Sequence, residues 1–227
     1  MPIHVLPLTE PDIPGAVTAI QEAFAEDPYN QWVYNDRSKL NLNRNRVSLG
    51  IRCHWGIRNA LFYVAKDSDD PDGNVLGIAM WMPPRPAELK ETWGEWIEGW
   101  RLWGSQVVMN LWYGRGGLNV KRYYIWKTKQ AEAQSEIWTD PKGYYFLNIM
   151  VVSPSHQGKG IGKLLAREVT KKADAEGRKC YLESSRDLPN MKIYEAMGFH
   201  FVKDMDCDDE GEVCKLFCMV RDPQKLP

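Results

Sequence analysis

The feature that most constrains this fold is a strand, a glycine loop and a helix in direct succession. Residues Tyr144 to Val152 are mostly apolar and lack glycine and proline, which is typical of a buried strand. Ser153 to Gly158 is a predicted turn, and apolar residues recur at helical spacing from Gly160 onward. Gly158, Gly160 and Gly162 therefore bring unpaired backbone N–H groups to a helix N-terminus, where the helix dipole favours phosphate oxygens.

The spacing of the loop distinguishes it from two common phosphate-binding motifs. A Walker loop requires Ser or Thr after its lysine, and neither Lys159 nor Lys163 is followed by one. A dinucleotide loop opens a βαβ unit early in a domain, whereas this loop comes late in the chain. The pattern Gln157-x-x-Gly160-x-Gly162 resembles instead the acetyl-CoA loop of the GNAT acetyltransferase superfamily.

A second block, YLESSRDLPNMKIYEAMGF at 181–199, resembles the Leu-Glu-x-Ser and Leu-Tyr-Glu-x-x-Gly-Phe segments of the same family. The preceding chain matches in the order of its predicted elements, which are a strand, two helices and an antiparallel hairpin at 61–82. The resemblance implies an α/β (α+β) GNAT fold, with a central mixed, mostly antiparallel sheet flanked by helices. We expect one domain over residues 1–227 with a helical insertion at about 85–143.

The resemblance also implies acetyl-CoA as cofactor, with its pyrophosphate on the loop amides and its pantetheine arm along the predicted strand at 144–152, which we term the organising strand. Tyr194 matches the family tyrosine that protonates the leaving sulfur, and Asn190 lies one turn earlier on the same helical face. The residues expected to contact the cofactor are Met150, Val151, Val152, Gln157, Gly158, Lys159, Gly160, Ile161, Gly162, Lys163, Asn190 and Tyr194.

The general base is the point at which this sequence departs from the family. Some members carry a carboxylate on the organising strand, but this strand offers Asn148 and no Asp or Glu. Glu183, at the end of the next predicted strand, is the first candidate, and the alternatives for it are an ion pair with Arg178 or Lys179 or a structural hydrogen bond. Two weaker candidates close the first helix, Glu26 and Asp27, and a water chain is a further alternative.

Residues 85–143 have no counterpart in the family pattern and hold seven of the ten tryptophans. Four of these, at 93, 96, 100 and 103, share one predicted helical face opposite acidic residues. That acidic face disfavours a membrane surface. The open interpretations are packing on the sheet or a second subunit, or an inward-facing lid, with Pro86 to Trp138 folding as helices beside the acetyl end of the cofactor. We expect the face to be covered, because several hundred Å² of exposed apolar surface is rare.

Composition bounds the remaining functions. The net charge of −1 provides no basic field for nucleic acid. Five scattered cysteines without a Cys-x-x-Cys pair favour reduced thiols over metal ligation or disulfides. Neither a secretory pattern nor an apolar run near the ~20 residues of a membrane span is present, so a cytoplasmic protein without a membrane partner is expected.

These observations together predict an acetyl-CoA-dependent N-acetyltransferase that acts on the primary amine of a small molecule by direct attack in a ternary complex. An aromatic-lined pocket favours a small acceptor. The alternatives are a protein or peptide amine acetyltransferase and a non-catalytic acyl-CoA-binding domain. The expected assembly is a monomer or a homodimer, with no metal site.

Overall fold

A seven-stranded sheet forms the centre of the computed structural model, which describes residues 2–70, 72–86 and 92–224. Its strands are β1 (Ile3–Pro7), β2 (Leu61–Asp67), β3 (Val75–Met82), β4 (Tyr144–Val152), β5 (Lys179–Ser184), β6 (His200–Asp209) and β7 (Glu212–Arg221). The strand order is β1-β2-β3-β4-β5-β7-β6, and every neighbouring pair is antiparallel except β4 and β5. The predicted mixed, mostly antiparallel sheet is confirmed.

Helices cover both faces of this sheet. They are α1 (Ile13–Ala23), α2 (Pro28–Val33), α3 (Leu42–Asn59), α4 (Trp93–Tyr113), α5 (Val120–Ile137), α6 (Ile161–Glu176) and α7 (Asn190–Glu195). On one face, α6 buries Leu165 and Val169 against Trp81 and Leu147. On the other face, α1 and α3 cover β2 and β3, while α5 covers the half of the sheet that contains Tyr181. The core therefore consists of two apolar layers separated by the sheet.

Two segments differ from the sequence-based prediction. The sequence Glu26-Asp27-Pro28 predicts the end of the first helix, but it also starts α2. The Asp27 carboxylate accepts the Asn30 N–H (3.1 Å) as an N-cap, and Pro28 is the first helical residue. The acidic segment DCDDEGE at 206–212 predicts a turn between two strands, but most of it is strand. Only Glu210 and Gly211, both at positive φ, form the turn.

The inserted segment places its two helices in different environments. Residues 87–91 of this segment lie outside the described ranges. Helix α5 packs on β6 and buries Ala133 in the core below Tyr181, whereas α4 packs on α3. The prediction that the tryptophan face of α4 points inward over the site is wrong for a single chain, because Trp93 is 80% and Trp103 60% exposed. The tryptophans face outward because the side of α4 that faces the protein is polar and pairs with charged residues of α3.

The five cysteines, Cys53, Cys180, Cys207, Cys214 and Cys218, are buried and unpaired. Burial raises the pKa of the Cys180 thiol to about 12, so this side chain stays a neutral part of the core. No helix in the described ranges combines the length and apolar character needed to cross a bilayer.

Candidate active site

The candidate site lies where β4 and β5 separate. The parallel pairing of these strands ends at Leu147 opposite Leu182. The register of β4 against β3 shifts at the same point, because Ile149 faces Met80 and Leu147 faces Trp81, which leaves Asn148 as a bulged residue. Beyond the bulge, β4 pairs with β3 alone, so its backbone toward β5 has no strand partner within the described residues. The opening exposes the polar backbone edge that a strand-like ligand would pair with.

The glycine loop follows directly at the end of β4. Gly158 and Gly160 adopt positive φ angles of 76° and 78°, and a Cβ at either position would meet nothing within 4 Å. Within the described chain, no backbone N–H from residue 157 to residue 163 donates to a protein acceptor. These donors converge at the N-terminus of α6, which Ile161 anchors in the core, and a positive dipole end supports them. The loop is a cradle for anionic oxygens.

The loop side chains flank this cradle. Lys159 and Lys163 are exposed beside it, and the Gln157 side chain donates back to the carbonyl of Val152 (3.2 Å), which ties the loop to the strand. A Cβ at Gly162 would lie in ordinary contact with Met150 and Val152, 3.8–3.9 Å away. The structure thus brings the residues predicted from the loop and from β4 together at the C-terminal end of β4.

Tyr194 lies on α7, next to the end of β5. Its half-buried ring packs edge-on against Phe199, with the centroids 6.1 Å apart, and no described group hydrogen-bonds its hydroxyl. Burial, assisted by the negative charge of Asp27, raises the pKa of Tyr194 to about 12. Asn190, one turn earlier, reaches Ser184 at the end of β5 (3.4 Å). Tyr194 is therefore a neutral phenol, able to donate a proton, on the helix that follows β5.

Glu183 occupies the face of β5 that packs against α5. Its carboxylate accepts hydrogen bonds from Gln130 (2.8 Å), Gln134 (3.3 Å) and the Tyr181 hydroxyl (3.0 Å). Burial raises the pKa of Glu183 above its usual range, while the hydrogen bonds from these donors oppose that rise. The structure thus provides a carboxylate that takes up a proton more readily than an exposed one.

Of the two alternatives for Glu183, the structural hydrogen bonds are present, whereas the ion pair with Arg178 or Lys179 is wrong. Arg178 pairs with Glu176 (3.1 Å), and Lys179 pairs with Asp222 (3.2 Å). No sequence pattern could have paired Glu183 with α5, because its two glutamine donors lie about fifty residues upstream in the inserted segment.

A cluster that sequence reasoning missed joins α2 to the end of β5. The Ser185 hydroxyl donates to the Asp27 carboxylate, and the Arg186 guanidinium donates to the backbone carbonyl of Glu26. The only sequence signal was the Asp-Pro step, typical of a helix start, which identifies Asp27 as a cap but not its partner. Asp27 is 7% exposed, so its charge is directed into the protein toward Tyr194.

A cavity of about 440 Å³ opens beside this cluster. Its lining sets two carboxylates, Glu26 and Asp187, beside two cations, Arg186 and Lys215, and includes the largely buried Trp32. Such a volume lies in the range of small-molecule pockets.

A deeper residue, Arg122 of α5, fixes one wall of this cavity. Its guanidinium donates to the Trp32 carbonyl (3.0 Å) and to Asp209 (2.7 Å), pairs with Glu212, and lies 5.3 Å from the Trp32 ring centroid. Nothing in the sequence marked Arg122 as part of a site, since its partners come from α2 and the β6–β7 turn.

Comparisons with known proteins agree with this geometry. Residues 121–201 match the family model for the acetyltransferase (GNAT) domain, which spans both the glycine loop and α7. An uncharacterized N-acetyltransferase of Schizosaccharomyces pombe is 28% identical over 221 residues, which cover 94% of this chain and 81% of the relative.

Solved structures share the fold at low identity. One is arylalkylamine N-acetyltransferase 2 from Aedes aegypti, with a TM-score of 0.62, 14% identity, and coverage of 99% of this chain and 100% of that one. Another is described as histone acetyltransferase HPA2 and related acetyltransferase from Corynebacterium glutamicum, with a TM-score of 0.60, 19% identity, and coverage of 100% and 99%.

Proposed function

We propose that this chain is an acyltransferase of the GNAT superfamily, which its family-model match and its curated relative support, and that it transfers an acetyl group from acetyl-CoA to the primary amine of a small molecule, by direct attack within a ternary complex. The observation that carries the proposal is one juxtaposition. A loop of free N–H donors and an unpaired strand edge adjoin the opening between β4 and β5, and the neutral Tyr194 packs on the same apolar cluster as Met150 and Val152 of β4.

The backbone of the loop and of β4 would hold the cofactor. The free N–H groups from Gln157 to Lys163 fit the pyrophosphate, and the exposed ammonium groups of Lys159 and Lys163 add positive charge beside it. The unpaired edge from Met150 to Val152 would pair with the amides of the pantetheine arm as a further strand would. When bound, acetyl-CoA supplies an activated acetyl thioester whose sulfur leaves as a thiolate.

Tyr194 is the proposed proton donor for that sulfur. Its raised pKa keeps the phenol protonated across the physiological range, so the proton on its oxygen is available at every turnover. Because no described residue competes for this proton, the hydroxyl is free to orient toward an approaching acceptor.

Glu183 is the proposed base that accepts the proton of the acceptor amine, directly or through water. Burial brings the pKa of its carboxylate closer to neutral pH, which improves proton uptake. Gln130 and Gln134 fix the orientation of the carboxylate, so α5 takes part in positioning this group.

The cavity beside α2 is the proposed entry for the acceptor. The lining sets the carboxylates of Glu26 and Asp187 beside the cations of Arg186 and Lys215, so it would bind a polar acceptor through paired charges. The limited volume favours a small amine over an extended peptide.

A thermal-shift titration with acetyl-CoA tests cofactor binding. At a hundredfold excess over Kd, mass action stabilises the folded protein by about 2.7 kcal/mol, or roughly 5–10 °C for a chain of this size. Replacing Gly160 by Leu places a side chain in the open cradle and should abolish the shift.

Gly211→Leu is the matched control for this variant. Gly211 also has a positive φ and open space around its Cβ, but it lies in the β6–β7 turn, so the variant carries similar strain and should keep the full shift. Equal shifts in both variants would remove the loop from the site. Thiol release with a panel of small primary amines, against peptide amines, then tests the acceptor class.

A further inference from the structure

Helix α4 is amphipathic in the direction opposite to that of an ordinary surface helix. Its polar side faces the protein, where Glu98 accepts from the Arg58 guanidinium (2.9 Å) and Asn110 accepts from Arg44 (2.8 Å). Its apolar side faces outward. A helix in a single chain usually buries the apolar side, so this arrangement indicates that another apolar surface covers α4.

The outward side carries a continuous row of large apolar side chains, which we term the outer stripe. Its members are 47% to 80% exposed: Trp93, Trp96, Ile97, Trp100, Trp103, Val108 and Leu111. The four indoles pack edge to face along the helix, with successive centroids 5.8, 5.8 and 5.3 Å apart. The indoles therefore form an ordered surface about 15 Å long, which Val108 and Leu111 extend to about 27 Å.

The area of the outer stripe matches what a stable dimer needs. At about 200 Å² per aromatic side chain, its exposed fractions correspond to roughly 800 Å² per chain. This exceeds the few hundred Å² of contiguous apolar surface that soluble monomers usually tolerate, and it equals the contribution of each partner to a standard interface.

We propose that the outer stripe is a homodimer interface in which α4 packs against α4 of a second copy across a two-fold axis. A single apolar row can meet its own copy, because an isologous contact uses the same patch twice. Gly104 lies within the row, one turn after Trp100, and a Cβ there would meet nothing within 4 Å. This gap in the row allows the partner helix to approach closely.

Charge favours a second copy over a lipid surface. The arginines beside the stripe are already neutralised, because Arg101 pairs with Glu98 (3.0 Å) and Arg85 pairs with Glu95 (3.3 Å). The remaining polar side of α4 is occupied by α3. The row of free cations that binds anionic headgroups is therefore absent from the described part of α4.

Light scattering coupled to size-exclusion chromatography tests the proposal on the full chain. The wild type should elute at twice its 26.2 kDa chain mass. Gly104→Glu puts an unpaired charge into the interface and should give a monomer. Ser105→Glu is the matched control, since Ser105 is exposed on α4 about 100° around the helix from Gly104, away from the four indoles, and it should stay dimeric.

Folding does not confound this comparison. Both positions lie within α4, where glutamate has a higher helix propensity than glycine or serine, so both variants should unfold at or above the wild-type temperature. A wild type that stays monomeric at the highest soluble concentration would overturn the proposal, and so would a Gly104→Glu dimer. Stripe-dependent binding of a monomer to phosphatidylcholine vesicles would assign the surface to lipid instead.

Discussion

Removing one oxygen atom, the hydroxyl of Tyr194, separates catalysis from folding in this protein. In the Tyr194→Phe variant the ring keeps its edge-on contact with Phe199, and no hydrogen bond to a described residue is lost. The free energy of unfolding should therefore change by less than about 0.5 kcal/mol. Acetyl-CoA affinity should also remain, because the proposed binding groups lie on the loop and on β4.

The expected loss in turnover follows from the state of this phenol. General acid catalysis contributes about 10²–10⁴ in rate, and efficiency falls as the pKa of the donor moves away from the working pH. Tyr194, with its pKa raised to about 12, lies toward the weaker end of that range. We expect kcat to fall by about tenfold to a thousandfold, equivalent to roughly 1.4–4 kcal/mol in the barrier.

The assay is thiol release under saturating acetyl-CoA and amine, with a thermal melt of each sample. Tyr145→Phe is the matched control, because the Tyr145 hydroxyl donates to Glu176 (2.8 Å) within the buried end of β4. That variant should lose about 1 kcal/mol of stability and keep its kcat. Unchanged turnover in Tyr194→Phe would show that water or another residue protonates the sulfur, and the role assigned to Tyr194 would be wrong.

Two further predictions address Glu183 and the ion pair that joins Arg221 of β7 to Asp174 of α6. Because burial raises the pKa of Glu183, kcat/KM should rise with pH through that pKa. Glu183→Gln should remove this rising part of the pH profile, and Gln130→Leu, which deletes a hydrogen bond that lowers the pKa, should move it to higher pH. A pH profile that neither variant changes would exclude Glu183 as the base. Arg221 holds both oxygens of Asp174 (2.7 and 2.8 Å), so Arg221→Met should lower the free energy of unfolding by about 3–5 kcal/mol at pH 7 in denaturant titrations. Burial raises the pKa of Asp174, but the hydrogen bonds from Arg221 and the Gln224 backbone outweigh burial and lower it. The wild type should therefore lose the stability that the ion pair contributes as pH falls from 3.8 through the lowered pKa. A difference in unfolding free energy between wild type and Arg221→Met that stays constant over this acid range would contradict this role of the ion pair.

Much of the fold could be predicted from local patterns. The strand–loop–helix unit at β4 and α6 was evident because apolar periodicity and glycine spacing act within a few residues. The β2–β3 hairpin was evident for the same reason. The extent of β6 was not, because the acidic residues near its end are stabilised by Lys121 and Arg122 of α5, which contact Asp209. Local composition indicated a turn, and a tertiary ion pair overrode it.

The candidate site likewise has a part that local sequence patterns predict and a part that depends on tertiary packing. Motif spacing predicted the loop donors and Tyr194, since these lie in two short blocks whose geometry is set locally. The surroundings of Glu183 required the packing of α5 on β5, and the partner of Asp27 required α2 to meet the end of β5. Buried polar groups must find partners wherever the fold provides them, and sequence separation carries no information about which partner that is.

The two helices of the inserted segment would place the proposed base and the proposed dimer contact on separate surfaces. Helix α5 contacts the proposed base through Gln130 and Gln134, so its register affects the chemistry. Helix α4 contacts α3 instead and presents its indoles outward. The break between them contains Gly114, Gly116 and Gly117, all at positive φ, which redirects the chain sharply. A monomeric stripe variant should therefore keep its site intact, since no described contact of Glu183 or Tyr194 passes through the outer stripe.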